Sequence, residues 1–172
     1  MDIGRRLSLA RPFRAPLVTL DEFDRRFGIV RGRLEAICTS LVGPAEAPDV
    51  VHDVYVTART RLSQLREADR LEAWLARIAV NECHELHRRR RRLSGYPIAV
   101  LEAPAGSTGD VALRELIERL PPRERTILVL HYGHGYGLDE IAALLGLNYA
   151  TVRSVIARTR QKLFRQWTDT ER

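Results

Sequence analysis

Apolar side chains recur along the first half of this chain at steps of four and three, the spacing that gathers them on one side of an α-helix. Phe23, Phe27, Val30, Leu34, Ile37 and Leu41 form the first such series, and Thr19 with Glu22 gives it a capping-box start. Gly28 inside the series should cost about 1 kcal/mol relative to alanine, and Gly43-Pro44 ends it. A second helix is predicted from about Pro48-Asp49, because proline is tolerated in a first turn and an acid suits the positive helix end. Its stripe is Val51, Val54, Ala58, Leu62 and Leu65. After the polar Arg66-Glu67-Ala68, a capping signal in Asp69 and Glu72 opens a third helix with Leu71, Trp74, Leu75, Ile78, Ala79 and Leu86 on one side. Three matching stripes predict a compact helical bundle, with Trp74 in its core.

The pattern changes at Ser94 to Asp110, which holds five Gly and Pro residues (Gly95, Pro97, Pro104, Gly106, Gly109), two acids and no basic residue, and so reads as a linker. Periodicity resumes with Leu113, Leu116, Ile117 and Leu120 behind a capping Asp110. Pro121-Pro122 closes that helix before another from Arg123 to Tyr132, and Gly133, Gly135 and Gly137 are expected to loosen the chain. Leu138 to Arg158 then has the layout of a helix-turn-helix. Ile141, Leu145, Leu147, Val152 and Val155 supply apolar contacts, and Ala142 is small where two helices cross. Gly146 is expected to end the first helix in a left-handed conformation, and Asn148 to cap the second. Tyr149, Ala150, Arg153, Ser154, Ala157 and Arg158 would face outward, towards a DNA groove.

Charge sharpens this picture. The 172 residues carry a formal net charge of +6, with a pI near 10.0, mostly from arginine, and Arg88 to Arg92 form one unbroken block. A helix can bury that block on no side, so it belongs in water or on phosphates, and a polyanionic partner is expected. Cys38 and Cys83 are too few and too far apart for a disulfide framework. The first twenty residues, with Arg5, Arg6, Arg11, Arg14, Pro12 and Pro16, contain no signal-like apolar run. They read as a mobile basic extension, and a cytoplasmic protein without membrane insertion is expected.

Together these landmarks resemble the bacterial extracytoplasmic-function (ECF) sigma factors, from about Leu20 to Phe164. The resemblance rests on Pro48 to Tyr55, on Ala73 to Asn81 with the arginines that follow, on Leu120 to Arg125, and on the helix-turn-helix. It implies an all-α protein of two small domains. Residues 1–19 would be the extension, 20–93 sigma region 2, 94–110 the linker and 111–172 sigma region 4. It implies a non-catalytic factor without metal or cofactor, which binds core RNA polymerase, recognises the minus-ten and minus-thirty-five promoter elements and helps to melt DNA. By this similarity Asp49, Asp53 and Arg59 would meet the clamp of the largest polymerase subunit. Gln64, Asn81, Glu85, Arg88 and Arg89 would meet the minus-ten element, with the loop Gln64 to Arg70 receiving an unstacked base. Tyr149, Thr151, Arg153, Ser154, Ala157 and Arg158 would meet the minus-thirty-five element, the domain resting on the flap of the second-largest subunit. An anti-sigma partner is implied, and no further sensory domain is expected beyond the recognition helix. Val155 stands where relatives often carry a basic residue, implying a lost phosphate contact or a slightly rotated helix, and Gly137 replaces a common serine cap.

Two other classes compete. A dimeric helix-turn-helix regulator explains only the second half and leaves the polybasic helix without a task. A metal site at Cys83, His84 and His87 lacks further ligands at supporting spacing.

Overall fold

The computed structural model describes residues 17–94, 115–117 and 119–170. Most of the basic extension, residues 95–110 of the linker, and the cap at Asp110 with Leu113 lie outside the described residues. The first half is a three-helix bundle of α1 (Leu20–Val42), α2 (Ala47–Thr60) and α3 (Leu71–Ser94), each packed on the other two. In α1 all six predicted apolar positions are buried, joined by Cys38 and Val42. Thr19 Oγ1 accepts the Glu22 N–H at 3.3 Å, but Glu22 pairs with Arg25 at 2.8 Å instead of completing the capping box. In α2 the predicted stripe is joined by Val50. Leu62 and Leu65 are buried as expected, yet the α-helix has ended by then: Leu62–Gln64 is a turn of 3-10 helix. A second such turn, Ala68–Arg70, contains Asp69 and leads into α3. Phe23, Phe27 and Tyr55 cluster where α1 meets α2, with Tyr55 edge-on to Phe27 at 5.1 Å.

The second half begins with helical residues 115–117 and buried Leu116 and Leu120. Helix α4 (Pro122–Leu128) runs on into a π-helical turn, Val129–Gly133. The glycine-rich stretch that follows is pinned, contrary to expectation. Gly135 adopts φ 70°, which turns the chain so that the Tyr136 N–H donates to the Leu130 carbonyl at 3.0 Å. His131 Nδ1 donates to the Tyr136 carbonyl at 2.9 Å, and Tyr136 is buried. Helix α5 (Leu138–Leu145) starts with Glu140 accepting the Gly137 N–H at 2.7 Å, half of a capping box that glycine has no side chain to complete. Gly146 ends it at φ 65°, ψ 37°, and Asn148 Oδ1 accepts the Thr151 N–H at 2.7 Å to open α6 (Tyr149–Thr170).

The two halves pack together. Helix α3 meets α5, α1 meets the π-helical turn, and one continuous buried cluster takes in Leu75 and Val80 of the first half with Ile127, Leu130 and Ile141 of the second. Among the described residues, polar contacts that cross the boundary include His84 Nε2 to Thr126 Oγ1 at 2.8 Å, His134 Nε2 to Ser40 Oγ at 3.1 Å, and the Arg33 guanidinium over the Tyr136 ring at 4.8 Å.

Candidate nucleic-acid interface

Helical geometry places Trp74, Arg77, Asn81, Glu85 and Arg88 along one side of α3, at steps of three and four. Gln64 joins them from the preceding 3-10 turn, because Arg61, Gln64, Arg66 and Arg70 border the same cleft of about 720 Å³ as Trp74, Arg77 and Asn81. Trp74 is only half-buried: one side rests on the core and the other lines this cleft. The apolar stripe alone puts it in the core, and only the position of the 3-10 loop opposite it reveals the second role. Arg61, Arg66, Arg70 and Arg77 were likewise invisible as a group until the fold brought them together. An indole among guanidinium groups can stack a base and hold its phosphates.

The other region-2 candidates separate into distinct places. Glu85 bonds both Arg88 and Arg89. Burial pushes its carboxyl up, but the two guanidinium groups outweigh that and hold it below the usual carboxylate value. Arg88 faces α4, beside His84, Pro122 and Arg123, whereas Arg89 faces α2 in a smaller cleft with Asp49, Asp53 and Glu46. Asp49 and Asp53 are exposed one turn apart, as a contact pair requires. Arg59 lies elsewhere. Its guanidinium bonds Asp24 of α1 at 2.8 Å and the Tyr55 hydroxyl at 2.8 Å, and these two partners raise its pKa. Cys83, His84 and His87 are drawn to different neighbours. Cys83 packs with Cys38, whose contact, with burial, pushes the thiol up; His84 meets Thr126; and His87 donates to the Leu41 carbonyl at 2.9 Å. Among the described residues no three potential ligands converge on a metal-sized site.

On α6 the outer face is as expected: Tyr149, Arg153, Ser154, Ala157 and Arg158 are exposed and Thr151 is half-exposed. Val152, Val155, Ile156 and Thr159 form the inner face. Val155 is therefore a packing position on the inner face. In α5 the fully packed leucine is Leu144, with Leu145, and Leu147 in the turn that follows, only partly covered. No helix among the described residues is long and apolar enough to cross a membrane.

The families described as "Sigma-70 region 2" and "Sigma-70, region 4" match residues 28–93 and 110–163. The "ECF RNA polymerase sigma factor EcfG" of Rhodopseudomonas palustris is 29% identical over 138 residues, covering 76% of each chain. The "Probable RNA polymerase sigma factor RfaY" of Xanthomonas campestris pv. campestris is 32% identical over 130 residues, which are 67% of this chain and 32% of that longer protein. Among solved structures, the sigma factor RpoE in complex with the anti-sigma factor NepR, from Bartonella quintana, superposes with a TM-score of 0.69 at 25% identity, covering 87% of this chain and 98% of that one.

Proposed function

Because the chain belongs to the sigma-70 family, in its ECF group, we propose that it directs core RNA polymerase to promoters by reading two DNA elements and opening the upstream edge of the transcription bubble. The observation that carries this reading is the presence, in one chain, of two arginine-bearing surfaces of different kinds. One is the arginine-rich cleft with a half-buried indole on α3, and the other is a capped helix-turn-helix with exposed arginines on α6. The first suits a single strand and the second a major groove.

At the minus-ten element, a base leaving the stack would enter between the Gln64 turn and Trp74, while Arg77, Asn81 and Arg88 follow the backbone. Unstacking costs a few kcal/mol, offset by base stacking and phosphate contacts, so no fuel is needed. At the minus-thirty-five element, Arg153, Ser154, Ala157 and Arg158 would reach base edges. Tyr149 and Thr151, at the helix N-terminus, would meet phosphates beside free backbone amides. Asp49 and Asp53 offer an acidic contact for the polymerase clamp, and the second domain would rest on the flap. Arg59 could join only by leaving Asp24. The complexed state of the similar RpoE structure supports an anti-sigma partner for this chain.

Run-off transcription with purified core polymerase on a library of genomic fragments tests the reading. Expected is initiation at a subset of fragments sharing two elements at fixed spacing, with activity falling steeply when one or two base pairs are inserted between them. A protein that binds duplex DNA but yields no polymerase-dependent transcript would contradict it.

A further inference from the structure

Cys38 and Cys83 are the only cysteines of the chain, and neither the proposed DNA-reading surfaces nor the proposed polymerase contact uses them. The fold brings them together. Cys38 lies on the inner face of α1 and Cys83 on the inner face of α3, both fully buried, with their side chains in hydrogen-bond reach of each other across the seam between the two helices. One turn further along the same seam, His87 donates to the Leu41 carbonyl at 2.9 Å. That bond holds α1 and α3 in register where the thiols meet.

A single buried cysteine is a small apolar filler and needs no other explanation. Two in contact have a chemistry that neither has alone, because whichever sulfur is oxidised first finds a resolving thiol beside it. The pair starts from a protected state: the Cys38 contact and burial push the Cys83 thiol up, so the reactive thiolate is scarce. Oxidation therefore waits for a local opening that lets a small oxidant reach the seam, and its rate reports how often α1 parts from α3.

We propose that Cys38 and Cys83 form a reversible redox site, in which a hydroperoxide converts the two thiols to a disulfide that staples α1 to α3 on the side of α3 opposite Arg77, Asn81 and Glu85. With hydrogen peroxide, one sulfur attacks an oxygen, the O–O bond breaks, and a sulfenic acid and a first water result. The second sulfur then attacks the oxidised one. The S–S bond forms, the S–O bond breaks, and a second water leaves, so that the two thiols together give up two electrons and the peroxide is reduced to water. Closing a bond of about 2.05 Å asks the two side chains to rotate towards each other. A small dithiol reverses the step by exchange, taking the disulfide onto itself. Because the bond closes a long loop of the unfolded chain, the oxidised bundle is the more stable form.

The test uses the full chain, reduced and then exposed to hydrogen peroxide. Expected are a mass lower by two hydrogens, a monomer on a non-reducing gel, and no thiol open to alkylation after denaturation, where the reduced chain takes a label on each cysteine. Dithiothreitol should restore both thiols. The oxidised form should melt several degrees above the reduced one, and the bond should form faster in urea held below the unfolding midpoint, where opening is more frequent. Cys38→Ala and Cys83→Ala should each form no intramolecular bond and show no rise in melting temperature with peroxide. The site would be overturned by thiols that both remain open to alkylation after prolonged exposure, by sulfinic acids without the loss of two hydrogens, or by a disulfide that leaves the melting temperature unchanged or lowers it.

Discussion

At the scale of single residues, the two histidines at the boundary give the packing of the two halves a defined pH response. Burial lowers the pKa of both. The charges of His87 and Arg88 add to this at His84, and that of Arg33 at His134. Arg123 also faces His84 across the cleft, so a second proton there meets positive charge from both halves. Packed halves thus bind fewer protons than separated ones, in which histidines with ordinary surroundings titrate near about 6.5. The packing is fully stabilised above that value and should weaken as pH falls below it. Scattering between pH 7.5 and 5.5 checks this, and a profile that stayed equally compact throughout would refute it. Asp53 makes a different prediction. It is exposed and proposed to face a basic clamp, so Asp53→Arg should weaken holoenzyme assembly while leaving duplex binding by the helix-turn-helix intact; titration with labelled core polymerase reads it. For Arg153 or Arg158, replacement by alanine should cost about 1–3 kcal/mol at one guanine if the contact is bidentate. A backbone contact would instead weaken all sequences alike and lower the salt slope by about one unit. Binding to promoter variants at several salt concentrations separates the two.

At the scale of elements, the helices were legible because their buried faces obey one period. Phe23 to Leu41 needed no tertiary information, and neither did the left-handed Gly146 or the cap at Asn148, which are demands of local backbone geometry. What the period could not show is where a helix yields to a tighter turn without changing which residues are buried, as at Leu62 and Leu65. It also could not show when an apolar residue has two neighbours. Trp74 satisfies the core pattern and lines the cleft as well, and the cleft exists only because residues 61 to 70 fold back beside it. Gly135 and Gly137 suggested looseness, whereas Tyr136 between them is fixed by a hydrogen bond to Leu130 and by Arg33, more than a hundred positions away in the chain. Helix α1 carries an uncorrected local cost. A Cβ at Gly28 or Gly32 would meet nothing within 4 Å, and both lie on the exposed side of a regular helix. Gly28→Ala and Gly32→Ala should each stabilise the protein by about 0.5–1 kcal/mol, as measured by urea denaturation. A loss of stability would mean that the face is covered in the folded protein.

At the scale of the whole molecule, the two assigned DNA surfaces lie on halves that share one buried cluster, joined across α3 and α5 and across α1 and the π-helical turn. Small domains of this size bury a modest fraction of their surface and are marginal when alone. Sharing a core makes each half part of the other's interior, so heat should disrupt the free chain in a single calorimetric transition, with van't Hoff and calorimetric enthalpies in agreement. In the variant carrying Arg33→Ala and His134→Ala, that peak should broaden or divide, and two resolved peaks in the unaltered chain would show that the shared cluster confers no cooperativity. The same economy of construction has a cost on opening: residues such as Leu144 and Ile78 lose part of their cover, and the apolar surface so exposed is a liability to aggregation and proteolysis. Each half thus shields the other's apolar surface, and a change that loosens one half should shorten the lifetime of both.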